Sequence, residues 1–409
     1  MAQVATWTFT VTWASTDTVT VTIGNSSYTT VTGSTTIATL VGNVATALAA
    51  LSSTLYPEFA EITWTATATA VVGTAATPGY PFVAAFTTNS SLGVITLVNT
   101  TASSGPNDAS TASNWSLGAI PVATNDVVFE DTSVSCFYGL AALVAVTPNS
   151  VSVRQSFTGA LGLPSLNSGG AAAYPEYRQR YFQFLGVTTT VDVGLGTGGG
   201  PGRCNLDAVT GAAVFNIWST GSGLDANTPP VLTLGTNTGN VLNVYGSSQV
   251  GVGYYAAQAP KLATCVVSGP ANVYFGPGVT LDVVQNNGGT LTILCPIVTT
   301  FTQGVAGGTT TFSGTGAIAA LYVYGGTAII NTTGTIGGNP IVSNGTIDFS
   351  QDSRVKTVTN AINVYAGGGV LDPNVVANSG GTLTLNCFNC DVTASQLGQN
   401  VTVARTWPA

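Results

Sequence analysis

The 409-residue chain contains no histidine, a single methionine and only 8 Lys and Arg residues. Without histidine, Ser-His-Asp and Cys-His catalysis, His-ligated zinc, the His/carboxylate iron triad and His-based pH switching are all excluded. Charged residues make up 6% of the sequence, against about 25% in ordinary globular proteins, so solubility must rest on Thr, Ser, Asn and Gly. Sixteen Asp and Glu residues set the formal charge at −8 and the pI near 4.2. That is the wrong sign for a phosphate backbone, and no nucleic-acid partner is expected. The first cation is Arg154, and residues 1–153 carry a formal charge of −7, with no polybasic patch.

Long apolar runs are also missing. Mean hydropathy is +0.38, yet Thr, Ser or Gly interrupts the apolar residues every few positions, and no stretch approaches the ~18 needed to span a bilayer. No membrane insertion is expected. The first residues, MAQVATWTFTVTW, have neither the cationic start nor the compact apolar core of a secretory signal, so no export signal is expected. Six cysteines are present, of which only Cys387 and Cys390 lie close together. A lone CxxC could be half a zinc site or a redox pair, but no second CxxC completes a four-cysteine site, so no metal or other cofactor is expected. Cys265 and Cys295, set in apolar runs, read as small buried hydrophobes.

What is present is β-forming. Hydrophobic residues are 44% of the chain, many of them β-branched, with 50 glycines between them. Residues 1–105 read as a small α+β domain for anchoring or oligomerisation. Thr6–Thr12 and Thr18–Ile23 alternate apolar and polar residues as half-buried strands do, with Ser15–Asp17 as the turn between them. A helix follows, with Ser34 as its N-cap and Ile37, Leu40, Val41, Val44, Leu48 and Leu51 on its apolar face. Tyr56-Pro57 is expected to end it. Glu61–Val72 and Phe82–Val98 are further extended stretches, the second broken near Asn89. One small sheet on one helix is the simplest arrangement. Thr100–Ser110 is a loop by composition and the best boundary.

Beyond it, short Val/Ile/Leu/Thr runs alternate with Gly-Gly, Asn-Gly and Ser-Gly. Gly288-Gly289-Thr290, Gly307-Gly308-Thr309, Gly325-Gly326-Thr327 and Asn344-Gly345-Thr346 each introduce a β-run, and their Thr positions are 19, 18 and 19 residues apart. A less regular unit spans Ala361–Pro373, Gly380-Gly381-Thr382 opens another, and weaker copies begin at Asn240 and Ser268. A period near 19 fits one coil of a parallel β-solenoid, with glycine at the corners and Val, Ile, Leu and Cys stacked along the axis. The expected fold is therefore mainly β, the α+β domain followed over residues 106–409 by a right-handed parallel β-solenoid (β-helix) with coils of about 19 residues. An antiparallel sandwich is the alternative.

Ala112–Asp131 (ASNWSLGAIPVATNDVVFED) resembles the opening segment of Gly/Thr-rich β-solenoid structural proteins of phage virions and prophages. The helix-and-strand domain before it is similar to one that often precedes such solenoids, and Phe157–Ser165, Tyr174–Arg178, Ile347–Asp352 and Gly369–Pro373 continue the similarity. The resemblance implies a virion component, a capsid decoration protein or a tail fibre or spike, as a homotrimer bound to other virion proteins and assembled in the host cytoplasm. It supplies no catalytic residue.

Chemistry is sparse. Paired carboxylates acting on glycans remain conceivable without histidine; Asp348 with Asp352 is one candidate and Glu176 another, although Arg354 and Lys356 beside the pair suggest a local charge cluster first. Tyr174, Glu176, Tyr177, Arg178, Arg180, Tyr181 and Phe182 form the densest aromatic and charged patch. Tyr and Arg are the residues of binding hot spots, so the patch reads as a subunit interface, as packing within the chain or as a contact for a host surface glycan. Asp126, Glu130 and Asp131 could face calcium, but no calcium-loop motif surrounds them. Gly194–Gly202 lacks the Lys-Ser/Thr of a phosphate loop, and Asn114 and Asn331 head sequons expected by chance in so Thr-rich a chain. The expectation is a non-enzymatic virion protein. A bacterial adhesin or extracellular filament protein, and a tail-spike polysaccharide depolymerase, are the rivals.

Overall fold

A computed structural model describes residues 1–167, 173–224, 228–255, 258–372, 376–377, 382–390 and 401–407. The chain divides into two compact units. One comprises Met1–Ile120, Val134–Ala142 and Ala160–Phe182; the other comprises Pro121–Ser133, Leu143–Gly159 and Gln183–Ala409. The segment Ala112–Asp131 therefore contributes to both.

In the first unit the chain order is β1 (Val4–Thr10), β2 (Thr18–Ile23), β3 (Ser26–Val31), α1 (Ile37–Ala49), α2 (Pro57–Ala60), β4 (Ile62–Ala66), β5 (Ala70–Ala75), β6 (Ala85–Thr88) and β7 (Val94–Thr101). These strands form two antiparallel sheets, ordered β4-β5-β1-β7 and β3-β2-β6, where the sequence suggested one. Alternation had placed β1 and β2 correctly as half-buried strands, but it is silent about partners. Their inward residues, Ala5, Trp7 and Phe9 on one and Val19, Val21 and Ile23 on the other, enter a single core with Leu40, Val41, Val44 and Leu48 of α1. Trp7 stacks on Phe86 with ring centroids 4.4 Å apart.

Three local expectations need correction. Thr36, not Ser34, is the N-cap of α1, and it makes no side-chain cap bond; the Ser34 hydroxyl instead accepts from the Thr36 amide. The helix stops at Ala49 before reaching Tyr56-Pro57, and Pro57 begins α2, where its missing N–H is harmless. Glu61–Val72 is not one strand, because Thr67 turns the chain and β4 pairs back on β5.

The second unit is a parallel β-solenoid of about 11 turns, opening with Asp126–Phe129. One continuous parallel sheet runs through 13 strands, from Asp126–Phe129 to Val401–Thr406. A second climbs beside it from Arg203–Asp207 to Gly369–Leu371. A third side is pinned by single bridges joining Ile297, Ile318, Ile336 and Val358. The sequence repeat is the rise of the second sheet, in which Thr290 pairs with Thr309, Thr309 with Thr327 and Thr327 with Thr346. The interval is 18 or 19 residues there and widens to 23 on the next turn, where Thr346 pairs with Gly369. Positive φ recurs at the corner before these strands, at Gly288 (115°), Gly307 (85°) and Gly326 (65°), and Asn344 takes it at 54° in the fourth copy. Gly380, Gly381 and Pro373, also read as part of the repeat, lie outside the described residues.

Strand alternation sends every second side chain inward, and register stacks them. Val231, Val250, Val273, Leu291, Thr310, Ala328, Ile347 and Val370 form one interior row. In the first sheet the row Val244, Val267, Asn286, Gln303, Val323 is interrupted by two amides. Asn286, Gln303 and Thr310 are all fully buried and satisfy one another. The Asn286 amide donates to Thr310 Oγ1 (3.0 Å) and to Gln303 Oε1 (3.3 Å), Thr310 donates to Gln303 Oε1 (2.8 Å), and Asn286 Oδ1 accepts from the Gly289 N–H (2.7 Å). Gln303 closes the set by donating to the Gly307 carbonyl at 2.6 Å. The polar island thus holds two successive glycine corners, at the cost of two apolar positions in the row.

Candidate functional site

The aromatic and charged segment resolves into a buried cluster in the first unit. Leu166–Asn167 pairs antiparallel with Tyr174–Pro175, setting Asn167 opposite Tyr174. Two residues on, Glu176 turns back on its own chain. Its Oε1 accepts from the Arg178 amide (3.0 Å) and Nε (2.7 Å), and its Oε2 accepts from Nη2 (2.8 Å). This is the two-point fork that matches guanidinium to carboxylate. The side chains of Arg178 and Glu176 are 6% and 1% exposed.

A second carboxylate, Glu61, reaches the same guanidinium at 3.6 Å. Glu61 also accepts from Tyr177 Oη (3.1 Å) and from Asn167 Nδ2 (3.2 Å), and Asn167 Nδ2 donates to Tyr174 Oη (2.9 Å). The rings of Tyr138 and Tyr177 lie 5.6 and 5.2 Å from the Arg178 carbon, within cation–π range. Burial alone would lower the Arg178 guanidinium, but the Glu176 bonds and the Glu61 charge hold it above its ordinary value. Burial, reinforced by Glu61, drives the Tyr177 and Tyr174 hydroxyls well above theirs. The Arg178 guanidinium and the two phenols are therefore locked in one protonation state near neutrality. A cavity of about 180 Å³ opens beside them, lined by Glu61, Asn167, Tyr174, Tyr80 and Phe82. The cluster is built to hold charge in place.

Within this segment Tyr181 and Phe182 are buried, whereas Arg180 is partly exposed and its carbonyl accepts from the Leu163 amide. Tyr174, Glu176, Tyr177 and Arg178 are thus brought together by packing within the chain. Glu61, Asn167 and Tyr138 were not singled out in the sequence as partners. Glu61 lies more than a hundred residues from Arg178, and local pattern carries no signal over that separation; the only hint is the general need of a buried guanidinium for carboxylates.

The carboxylate pair is differently arranged. Asp348 ends the strand Gly345–Asp348, is 5% exposed and caps its own turn, accepting from Ser350 N (2.7 Å), Ser350 Oγ (2.6 Å) and Gln351 Nε2 (3.2 Å). Asp352 accepts from Arg354 Nε at 2.6 Å and pairs with Lys356 Nζ at 3.1 Å. The hydrogen bonds from Arg354 hold its carboxyl below the usual range. Lys356 is fully buried and also donates to the Arg354 carbonyl. Among the described residues the two carboxylates share no partner, and each is engaged by its own local turn.

Asp126 is held by Asn149 Nδ2 (2.8 Å) and Ser150 Oγ (2.6 Å) on the next turn. Among the described residues, no three His, Cys, Asp or Glu side chains gather into a metal-sized cluster. Gly194–Gly202 is a turn packed on the solenoid, with the Gly200 amide on the Gln155 carbonyl. All six cysteines are free thiols, five of them buried. Cys265 fills an interior position between Leu242 and Val284, and Cys387 one beside Val364. Burial pushes the Cys136 and Cys295 thiols up to about 12. No family profile, curated protein or solved structure matches this chain.

Proposed function

We propose that the chain is a non-enzymatic structural protein of a phage virion, a capsid decoration protein or a tail fibre or spike. In this reading the N-terminal unit anchors the protein to other virion components, and the solenoid is the stiff body of a homotrimer. The observation that carries the reading is the uninterrupted pair of parallel sheets around interior rows of Val, Leu, Ile and Phe. Each turn is held by its neighbours through backbone bonds along the axis and by buried apolar stacks. Such a body resists local opening, which is what a protein exposed outside a cell requires. The resemblance of Ala112–Asp131 to virion solenoids supports the same reading, and the acidic segment before Arg154 directs anchoring toward apolar and hydroxyl contacts.

The test is immunogold microscopy, with antibody raised against the purified chain, on particles and cells from a culture that expresses the gene. Gold on the heads or tails of released particles supports the proposal. Gold confined to the bacterial surface replaces it with the adhesin reading. Release of new reducing ends from host capsule by the purified chain would replace it with the depolymerase.

A further inference from the structure

A groove of the solenoid unit lies on the outer face of its second sheet, apart from the cluster around Arg178 and from the Asp348 and Asp352 carboxylates. It encloses about 410 Å³, within the roughly 300–1,000 Å³ typical of small-molecule sites. Its floor is laid by register: Gln249 pairs with Asn272, and two residues further along the strands Tyr274 pairs with Thr292. Successive turns therefore present an amide, a second amide beside a phenol ring, and a hydroxyl, each about 4.8 Å above the last. Gln249 and Asn272 are exposed, and their side-chain amides have no partner among the described residues.

One wall is aromatic, and a missing side chain permits it. Gly251 pairs with Tyr274, and a Cβ at Gly251 would lie 3.0 Å from Tyr254 Cδ2 and 2.7 Å from Leu232 Cδ2. Gly253 then turns the chain with φ of 52°. Tyr254 can thus settle beside Tyr274, ring centroids 5.0 Å apart and tilted by 57°. Pro229 contributes further apolar surface, and the described residues lining the groove are all uncharged. Burial raises both phenols above their ordinary value, so they remain neutral hydroxyls at physiological pH.

A cleft with two aromatic rings, free amides on successive turns and no charge among its described residues is matched by a ligand with C–H faces and a rim of hydroxyls. Among the described lining residues a phosphate or carboxylate finds no cation, and a basic peptide no acid. We propose that this groove binds a linear, uncharged oligosaccharide along the solenoid axis, its rings on Tyr254 and Tyr274 and its hydroxyls on Gln249, Asn272 and Thr292. The inference does not depend on whether the protein belongs to a virion or to a cell surface.

Saturation-transfer NMR on the full chain tests it, with malto-, cello-, xylo-, manno- and chitohexaose as neutral probes and hexagalacturonate as the acidic one. At least one neutral hexaose should receive saturation, and Tyr274→Ala should weaken its titrated affinity at least tenfold. Asn272→Ser, which leaves the aromatic wall intact, should weaken it severalfold, and both variants should melt with the wild type. Should Tyr274→Ala fail to fold, Asn272→Ser alone decides. No response to any neutral hexaose, a response only to hexagalacturonate, or neutral binding unchanged in the folded variants would each overturn the proposal.

Discussion

Replacing Asn286 by alanine tests the buried polar island most directly. Asn286 shares its row with Val244, Val267, Val323 and one other amide, Gln303, and an amide there is tolerable only because its polar atoms are engaged. The Gly289 carbonyl accepts from Asn286 Nδ2 (3.0 Å) but also from the Thr309 amide, and Gln303 Oε1 keeps Thr310, so neither is orphaned by the substitution. The Gly289 N–H is different: Asn286 Oδ1, 2.7 Å away, is its acceptor and the site is buried. An orphaned buried donor costs about 1–3 kcal/mol, and the small void left by the amide adds roughly 1 kcal/mol. The expected loss is therefore about 2–4 kcal/mol, localised to the corners at Gly289 and Gly307. Thr310→Val, which removes a hydroxyl and strands no backbone group, should cost only about 1 kcal/mol. Since repeat proteins need not unfold in one step, native-state hydrogen exchange is the suitable assay, with urea denaturation beside it. Exchange at Gly289 should accelerate roughly hundredfold in Asn286→Ala. A change below about 0.5 kcal/mol, or Thr310→Val costing as much as Asn286→Ala, would refute the assignment of the amide to that corner.

Other outcomes follow from the same geometry. Arg178→Met strands the buried Glu176 carboxylate and should destabilise the first unit by about 3–5 kcal/mol; Glu176→Gln added to it should restore part of the loss in thermal melts, and no restoration would argue against the pair. The Asp352 carboxyl is depressed in the folded state, so its contribution is present above the ordinary carboxylate value of about 3.9 and vanishes as pH falls through the lower folded value. Melting temperature against pH should accordingly fall more steeply below about pH 4 in the wild type than in Asp352→Asn, and parallel curves would refute this. With Cys136 and Cys295 raised to about 12 and only Cys390 partly exposed, iodoacetamide at pH 8 should modify at most one thiol rapidly in the native chain and six after denaturation. Two fast thiols in the native state would contradict the packing.

The solenoid was legible because its determinants are local and repeat. A strand needs alternation, a corner needs a residue that accepts positive φ, and Gly-Gly-Thr or Asn-Gly-Thr returning every 18 or 19 residues writes both into the chain. In the first unit the alternation of β1 and β2 was equally plain, but their assignment to separate sheets depended on which distant strand each met, and period-2 patterning is the same for every partner. The island at Asn286, Gln303 and Thr310 was invisible for a related reason, since a polar residue on a Thr- and Asn-rich strand reads as outward until register turns it inward. Glu61 and Arg178 meet only through tertiary packing, because a guanidinium leaving water must find carboxylates wherever the fold brings them. The groove at Tyr254 and Tyr274 likewise exists only when successive turns stack. Local backbone preference thus determined the class of fold from sequence alone, and the tertiary structure decided which side chains became neighbours, because those contacts depend on register and long-range closure.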